Sequence, residues 1–217
     1  EFTQLPLLDP PVLALNYQEQ EEAIDGFFQF GLSVEDEVQQ LLDLFDSQQK
    51  QNIAIIHQDA AWAVKLVDNI KMWSKQKSYT EPITFSFNAS DNLSNGIADF
   101  LEIDESIARA NKIKTLVGEA ESQPRRRQDI DAVVILSPPI KARQIKPLLA
   151  FHYASNIPLF AVSRIYSGIP RPNKDHDLDG ITYTEIPWML NKTSPLKKDI
   201  EYIAGTNLYE QFYALGA

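Results

Sequence analysis

Short apolar clusters alternate with longer amphipathic segments from residue 52 to residue 186. The clusters are rich in Ile, Val and Phe and are bounded by polar or turn residues, a pattern that predicts β-strands. Five segments share it: residues 52–59, 83–89, 131–137, 158–164 and 180–186. Between them apolar residues recur at helical spacing, as in Trp62, Leu66, Ile70 and Trp73. Strands that alternate with helices favour parallel βαβ units.

The segment AVVIL at residues 132–136 carries no polar alternation. Such a strand is typical of the centre of a parallel sheet, where helices cover both faces. The simplest order for five strands in a doubly wound sheet is 2-1-3-4-5. We therefore predict an α/β fold with a doubly wound parallel sheet in this part of the chain.

Three positions predict where helices begin and end. Ser33 precedes a run of acids and apolar residues and is expected to cap a helix. Asp59 follows a strand segment and is expected to cap the next helix. Gly118 ends a helical stretch over residues 92–118, which should break near residues 102–104.

Two further strand segments, residues 12–17 and 27–32, precede this alternation and do not fit the same sheet. They are typical of the end of another α/β unit. We therefore predict a partial first lobe made of residues 1–33 and a returning helix within residues 191–217. Residues 34–190 would form a second, α/β lobe.

The composition is that of an ordinary globular chain, with 217 residues, 44% hydrophobic and 23% charged. The longest uncharged apolar run is Ala132–Leu136, so we expect no transmembrane segment and no signal peptide in this chain. Cysteine is absent, which excludes disulfides, thiolate metal sites and cysteine nucleophiles.

The net charge of −10 is concentrated in the first 50 residues, and the remainder of the chain balances to zero. A nucleic acid would be repelled by the first part and attracted by nothing overall, so we expect no nucleic-acid partner. The run Arg125, Arg126 and Arg127 does not change this, because it lacks further cations or interleaved aromatics. It is interpreted as a solvated loop whose arginines pair with acids such as Asp129 or Asp131, or with the helix C-terminus near Gly118. A protein-contact cluster is the open alternative.

Polar residues at the carboxyl ends of the predicted strands are the candidates for a binding cleft, because doubly wound folds bind ligands there. From the first lobe Asn16 and Tyr17 could contribute. The full candidate set is Asn16, Tyr17, His57, Asp59, Ser137, Ser163 and Arg164. Trp188, which follows a strand, joins the three arginines as a candidate protein contact.

These residues do not form a catalytic motif. Neither Ser137 nor Ser163 lies in a Gly-x-Ser-x-Gly turn, and no glycine-rich phosphate loop follows any strand. His57, His152 and His176 stand in unrelated contexts without metal-ligand spacing. We expect no catalytic residues, no cofactor and no metal.

The segment DHDLDG at residues 175–180 resembles the start of a calcium loop. Its twelfth position should be a bidentate Glu but is Ile186, and a strand follows where a helix is needed. We interpret it as an acidic surface loop that enters a strand.

Three stretches of the chain resemble one family. The most specific is PRRRQDIDAV followed by RQIKP, within residues 124–147; DLDGITYTEIPWML (177–190) and FGLSVEDEVQQ (30–40) are the others. The chain is similar to the LpoA family, bacterial lipoprotein activators of class A penicillin-binding proteins. The resemblance runs through most of the chain.

The resemblance implies a type I periplasmic-binding-protein fold, with two α/β lobes around a cleft. It also implies a non-enzymatic periplasmic regulator that binds and stimulates a peptidoglycan synthase, a class A penicillin-binding protein. Such a protein would be anchored to the outer membrane by a lipid outside this chain. A small-solute receptor of the same fold is the alternative, since one fold hosts many functions.

Overall fold

The computed structural model describes residues 10–15, 24–31, 33–118, 124–191 and 193–205, together with Asn207 and Phe212. The strands are β1 (Val12–Ala14), β2 (Phe27–Gln29), β3 (Ile53–Gln58), β4 (Ile83–Phe87), β5 (Ala132–Leu136), β6 (Leu159–Ala161) and β7 (Ile181–Tyr183). The helices are α1 (Val34–Ser47), α2 (Ala61–Gln76), α3 (Leu93–Phe100), α4 (Ile103–Val117), α5 (Pro139–Phe151), α6 (Pro172–Asp175), α7 (Pro187–Leu190) and α8 (Pro195–Ala204). Short 3₁₀ turns cover Ser163–Ile165 and His176–Leu178.

Five strands form one parallel sheet in the order β4-β3-β5-β6-β7. This is the predicted order 2-1-3-4-5, and every neighbouring pair is parallel. The prediction of a doubly wound α/β fold is confirmed. The central strands β3 and β5 are buried along nearly their whole length, as expected from the apolar run IAII in β3 and AVVIL in β5.

The core lies between this sheet and its helices. Ile56 and Ile135 of the central strands pack with Ile97 of α3 and Ile145 of α5, all fully buried. α2 turns Leu66, Ile70 and Trp73 inward at the predicted spacing. Packing of this kind, rather than intrinsic helix propensity, holds helices of this length in place.

Most of the predicted helix ends are confirmed, and one is wrong. The Asp36 backbone N–H donates to Ser33 Oγ at 3.1 Å, which is the capping bond expected before α1. Glu102, in the left-handed region at φ 57°, separates α3 from α4, and Gly118 ends α4 at φ 85°. Asp59, in contrast, does not cap α2. Ala60 takes that position without a side-chain bond, because the chain continues one residue further before the helix turns.

The described residues divide into two compact units, residues 37–185 and residues 1–36 with 186–217. The larger unit contains the five-stranded sheet. In the smaller unit β1 and β2 pair in parallel, with Val12 opposite Phe27. The predicted lobe boundaries lay after residues 33 and 190, a few residues from these divisions.

Candidate functional site

The carboxyl ends of β3 to β7 meet at one edge of the large sheet, where ligands bind in folds of this class. His57 is the penultimate residue of β3, and its side chain is buried. Its Nδ1 lies 3.0 Å from the carbonyl oxygen of Gln58. Asp59 is exposed at the same end of the strand, and Asn16 and Tyr17 lie outside the described residues.

The two candidate serines lie at this edge and are both buried. Ser137, directly after β5, donates from Oγ to the Pro138 carbonyl oxygen at 3.4 Å. Ser163 lies after β6 and donates twice to Glu37: its backbone N–H to Oε2 at 2.6 Å and its Oγ to Oε1 at 2.7 Å. Thr184, after β7, donates from Oγ1 to Oε2 of the same carboxylate at 3.2 Å.

Glu37 reaches the sheet edge because it lies on the inward face of α1. Residues four apart stand on one face of a helix, and Glu37, Leu41 and Phe45 follow that spacing. Phe45 is fully buried and meets the ring of Phe160 in β6 edge to face, with centroids 4.8 Å apart. The same face of α1 therefore places Phe45 against the middle of β6 and the Glu37 carboxylate at the carboxyl end of β6.

Arg164 is exposed and lies over the indole ring of Trp62, with its guanidinium carbon 4.9 Å from the ring centroid. This cation–π contact joins the loop after β6 to the first turn of α2. Because the guanidinium is held over a ring, Arg164 presents its donors in a restricted range of directions.

The arginine run has three different roles. Arg126 is buried and donates to the Arg127 carbonyl oxygen and to Oδ1 of Asn156, at 2.6 and 3.1 Å. Arg127 donates two bonds to Asp129, at 2.8 and 2.7 Å, and lies 3.0 Å from Glu102. Arg125 has an exposed side chain, and its backbone N–H donates to Ser106 Oγ. The expected pairing with Asp129 is confirmed.

Asp131, the other acid suggested as a partner of the arginine run, has different donors. Its Oδ2 instead accepts from the backbone N–H groups of Gln51 and Asn52 and from Asn52 Nδ2, at 3.1, 2.9 and 3.0 Å. The carboxylate faces the amino end of β3, because Asp131 lies one residue before its partner strand β5.

Trp188, in the smaller unit, is half-buried at the start of α7. Lys197 Nζ lies 5.5 Å from its ring centroid and donates to its carbonyl oxygen at 2.7 Å. The indole is therefore packed partly under a neighbouring lysine of the same unit.

Asp175 and Asp177, in the segment 175–180, have protein partners. Asp175 accepts from Arg143 at 2.8 Å and from the Arg171 backbone N–H at 2.6 Å. Asp177 lies 3.1 Å from His176 Nε2. Burial has the largest single influence on the Asp175 carboxyl and raises its pKa. The hydrogen bonds from Arg171 and Arg143 outweigh it, so the pKa of Asp175 lies below its ordinary value. The segment forms two short helical turns before β7.

Sequence reasoning missed Glu37 as a site residue and treated it only as an acid near a helix start. A signal was present, because an acid four residues before Leu41 and eight before Phe45 lies on the buried face of an amphipathic helix. A carboxylate on such a face needs donors across the interface. The observed hydrogen bonds hold Glu37 and the two serines in fixed positions. Neither serine hydroxyl donates to a histidine, as an activated serine nucleophile would.

Comparison with known proteins gives the chain a family. The model of the family described as "LppC putative lipoprotein" matches residues 2–217. The chain belongs to this family. Among curated relatives, penicillin-binding protein activator LpoA of Vibrio cholerae serotype O1 is 27% identical over 212 residues, which is 95% of this chain and 35% of the relative. LpoA of Klebsiella pneumoniae is 29% identical over 219 residues, 95% of this chain and 30% of the relative.

The chain thus spans about a third of the length of the curated relatives it matches. The resemblance to the LpoA family is confirmed. No helix among the described residues is both long and apolar enough to cross a membrane.

Solved structures share the fold. The LpoA C-domain of Haemophilus influenzae, described as a regulator of PBP1A, matches with a TM-score of 0.62 at 18% identity, over 93% of this chain and 55% of that one. An extracellular ligand-binding receptor of Verminephrobacter eiseniae matches with a TM-score of 0.52 at 15% identity, over 87% of this chain and 46% of that one. The chain therefore shares the fold of the LpoA C-domain and of this ligand-binding receptor, in agreement with the fold that the family resemblance implies.

Proposed function

We propose that this chain is part of a periplasmic lipoprotein, anchored at the outer membrane, that binds and stimulates a class A penicillin-binding protein. The observation that carries the proposal is the family match over residues 2–217, together with relatives named penicillin-binding protein activator. The protein would act through a surface and perform no chemistry. Stimulation requires tighter binding to the more active state of the synthase.

The arrangement of the sheet edge supports this role over that of a solute receptor. A receptor site needs donors that converge on an open position. The backbone N–H and hydroxyl of Ser163, and the hydroxyl of Thr184, already donate to Glu37. The hydroxyl of Ser137 donates to the neighbouring carbonyl oxygen. A solute would have to displace these internal partners.

We propose that the contact surface lies at the carboxyl edge of the large sheet and includes Arg164; the exposed Arg125, on the loop before the amino end of β5, and Trp188, in the smaller unit, are separate candidates. Arginine and tryptophan are over-represented among residues that dominate binding energy. Arg164 is the best preorganised of these residues for binding, because its guanidinium is already stacked on Trp62 and loses little conformational freedom when a partner binds. Arg126 is buried and Arg127 is paired with acids, so both support the loop and leave Arg125 as its contact residue.

The test measures binding of the 217-residue chain to a purified class A penicillin-binding protein, and peptide crosslinking by that enzyme with and without the chain. We expect binding and faster crosslinking. Arg164→Gln should weaken binding by about tenfold, the loss of one well-placed contact. Arg109→Gln is the charge-matched control, because Arg109 forms an exposed pair with Glu105 on α4.

An absence of binding and stimulation, in this chain and in a longer protein that carries it, would refute the proposal. Tight uptake of a small solute in the same experiments would favour the receptor alternative. If Arg164→Gln and Arg109→Gln weaken binding equally, the loss reflects the removed positive charge in general, and the proposed role of Arg164 is refuted.

A further inference from the structure

The hydrogen bonds at the ends of β6 and β7 have the form of a carboxylate-binding site. Three donors converge on one carboxylate: the backbone N–H and Oγ of Ser163 and Oγ1 of Thr184. We name these three groups the carboxylate cradle. Hydroxyl and backbone N–H donors that converge in this way recognise anionic oxygens.

The cradle is built by the sheet, independently of its occupant. The Thr184 backbone N–H donates to the Ala161 carbonyl oxygen at 3.2 Å, which extends the pairing of β6 and β7 by one residue. Ser163 opens a 3₁₀ turn, so its backbone N–H has no partner within that turn and points outward to an acceptor. Ser163 is 8% exposed and Thr184 is half-buried, so the Ser163 side of the cradle is the part shielded from water.

The occupant comes from a distant part of the sequence. Glu37 precedes Ser163 by 126 residues and is presented by α1. The carboxyl edge of a parallel sheet is where this class of fold binds ligands. The geometry points to a ligand site that the protein fills with its own side chain.

We propose that Ser163 and Thr184 form a carboxylate-binding site and that Glu37 acts as its internal ligand, which keeps the site closed to carboxylate solutes. Truncation of Glu37 to Ala removes the last methylene and the carboxyl group. Acetate carries the same four heavy atoms. Acetate should therefore enter the cradle of Glu37→Ala and restore the three hydrogen bonds.

The experiment measures the melting temperature of the 217-residue chain in chloride, in acetate and in acetamide, at equal ionic strength. Glu37→Ala should melt about 2–8 °C below the native chain in chloride, as expected for the loss of charge-assisted bonds in a domain of this size. Acetate at about 100 mM should recover much of that loss, given a dissociation constant on the order of 1–10 mM for so small a ligand. Acetamide should recover less, because it lacks the charge and the second acceptor.

Two controls separate the cradle from a general salt effect. Glu37→Gln keeps a side chain of the same length in the cradle, so acetate should not stabilise it. The double variant Glu37→Ala with Ser163→Ala lacks a donor, and acetate should stabilise it less than the single variant. The native chain should not respond to acetate, because its cradle is full.

Equal stabilisation of all variants by acetate, or none in a folded Glu37→Ala, would overturn the proposal. If Glu37→Ala does not fold in chloride, its refolding yield in each solution is measured in place of the melting temperature. A yield that rises in acetate but not in acetamide supports the cradle, and equal failure in both counts against it.

Discussion

Two carboxylates lie at opposite ends of the parallel strands, and each accepts three hydrogen bonds. Asp131, at the amino end, takes all three on one oxygen, Oδ2, from Gln51 and Asn52. Glu37, at the carboxyl end, uses both oxygens to accept from Ser163 and Thr184. Gln51 is exposed, whereas Ser163 is buried.

This difference shows that the number of hydrogen bonds alone does not determine how much a carboxylate contributes to the stability of the fold. Water can replace Asp131 at the exposed N–H of Gln51, so its loss leaves fewer donors unsatisfied. The buried donors of Ser163 have no such replacement. Glu37 should therefore matter more for stability, although both carboxylates look alike in a count of hydrogen bonds.

The largest expected effect comes from a substitution that removes the aromatic contact holding α1, and with it Glu37, against the sheet. Phe45→Ala removes a fully buried ring that contacts Phe160, and should lower the free energy of unfolding by about 3–5 kcal/mol. Urea denaturation at neutral pH measures it. Phe151→Ala is the matched control, because Phe151 is 73% exposed at the end of α5 and its loss should change little. A Phe45→Ala loss no larger than that of Phe151→Ala would show that this contact does not hold α1.

Glu37→Ala comes next, with an expected loss of about 1–3 kcal/mol, because it leaves buried donors without an acceptor. Glu37→Gln should lose less, since its amide oxygen can accept and the Ser163 hydroxyl can rotate to accept from the amide nitrogen. The same denaturation experiment compares the two. Equal losses would mean that the charge, rather than the hydrogen-bond geometry, holds the contact.

Asp131→Ala should lose about 1–2 kcal/mol, less than Glu37→Ala, because its donors are nearer to water. Asp131→Asn should be close to neutral. All three bonds fall on one oxygen, and the amide oxygen of Asn can take them. Unfolding free energies of both variants check this. A larger loss at Asp131 than at Glu37 would reverse the comparison between the two ends of the sheet.

The sheet was predictable from sequence because its signals are local. The unpatterned AVVIL of β5 and the helical spacing of Leu66, Ile70 and Trp73 each specify burial within a few residues. Asp59 was misplaced as a cap because strand and helix signals do not fix the length of the turn between them.

The site was less predictable because its bonds join distant residues. Asp131 was one of several possible partners suggested for the nearby arginines, but it accepts backbone N–H groups 79 and 80 residues away. Glu37 and Ser163 are 126 residues apart. Sequence alone shows an acid on a buried face, and only the packing of α1 on β6 reveals which donors it meets.

The smallest expected effect uses a third carboxylate, which is exposed. Asp129 accepts two bonds from Arg127, as Glu37 does from Ser163, but its side chain is 61% exposed. The bonds from Arg127 lower the pKa of the Asp129 carboxyl below its ordinary value. A lowered pKa in the folded state means that the pair stabilises the protein above about pH 4, the ordinary pKa of Asp, and that this contribution is lost as the pH falls through the lowered value.

Asp129→Asn should therefore lose less than about 1 kcal/mol at pH 7, because solvent screens an exposed pair. The difference from the native chain should shrink at low pH, where the carboxyl is protonated in both the folded and the unfolded state. Urea unfolding at neutral pH and at a series of pH values that decreases from about 4 measures both points. Added salt should reduce the neutral-pH difference. A loss at Asp129 as large as that at Glu37 would break the argument, because burial of the donors, rather than bond count or charge, is what separates these carboxylates.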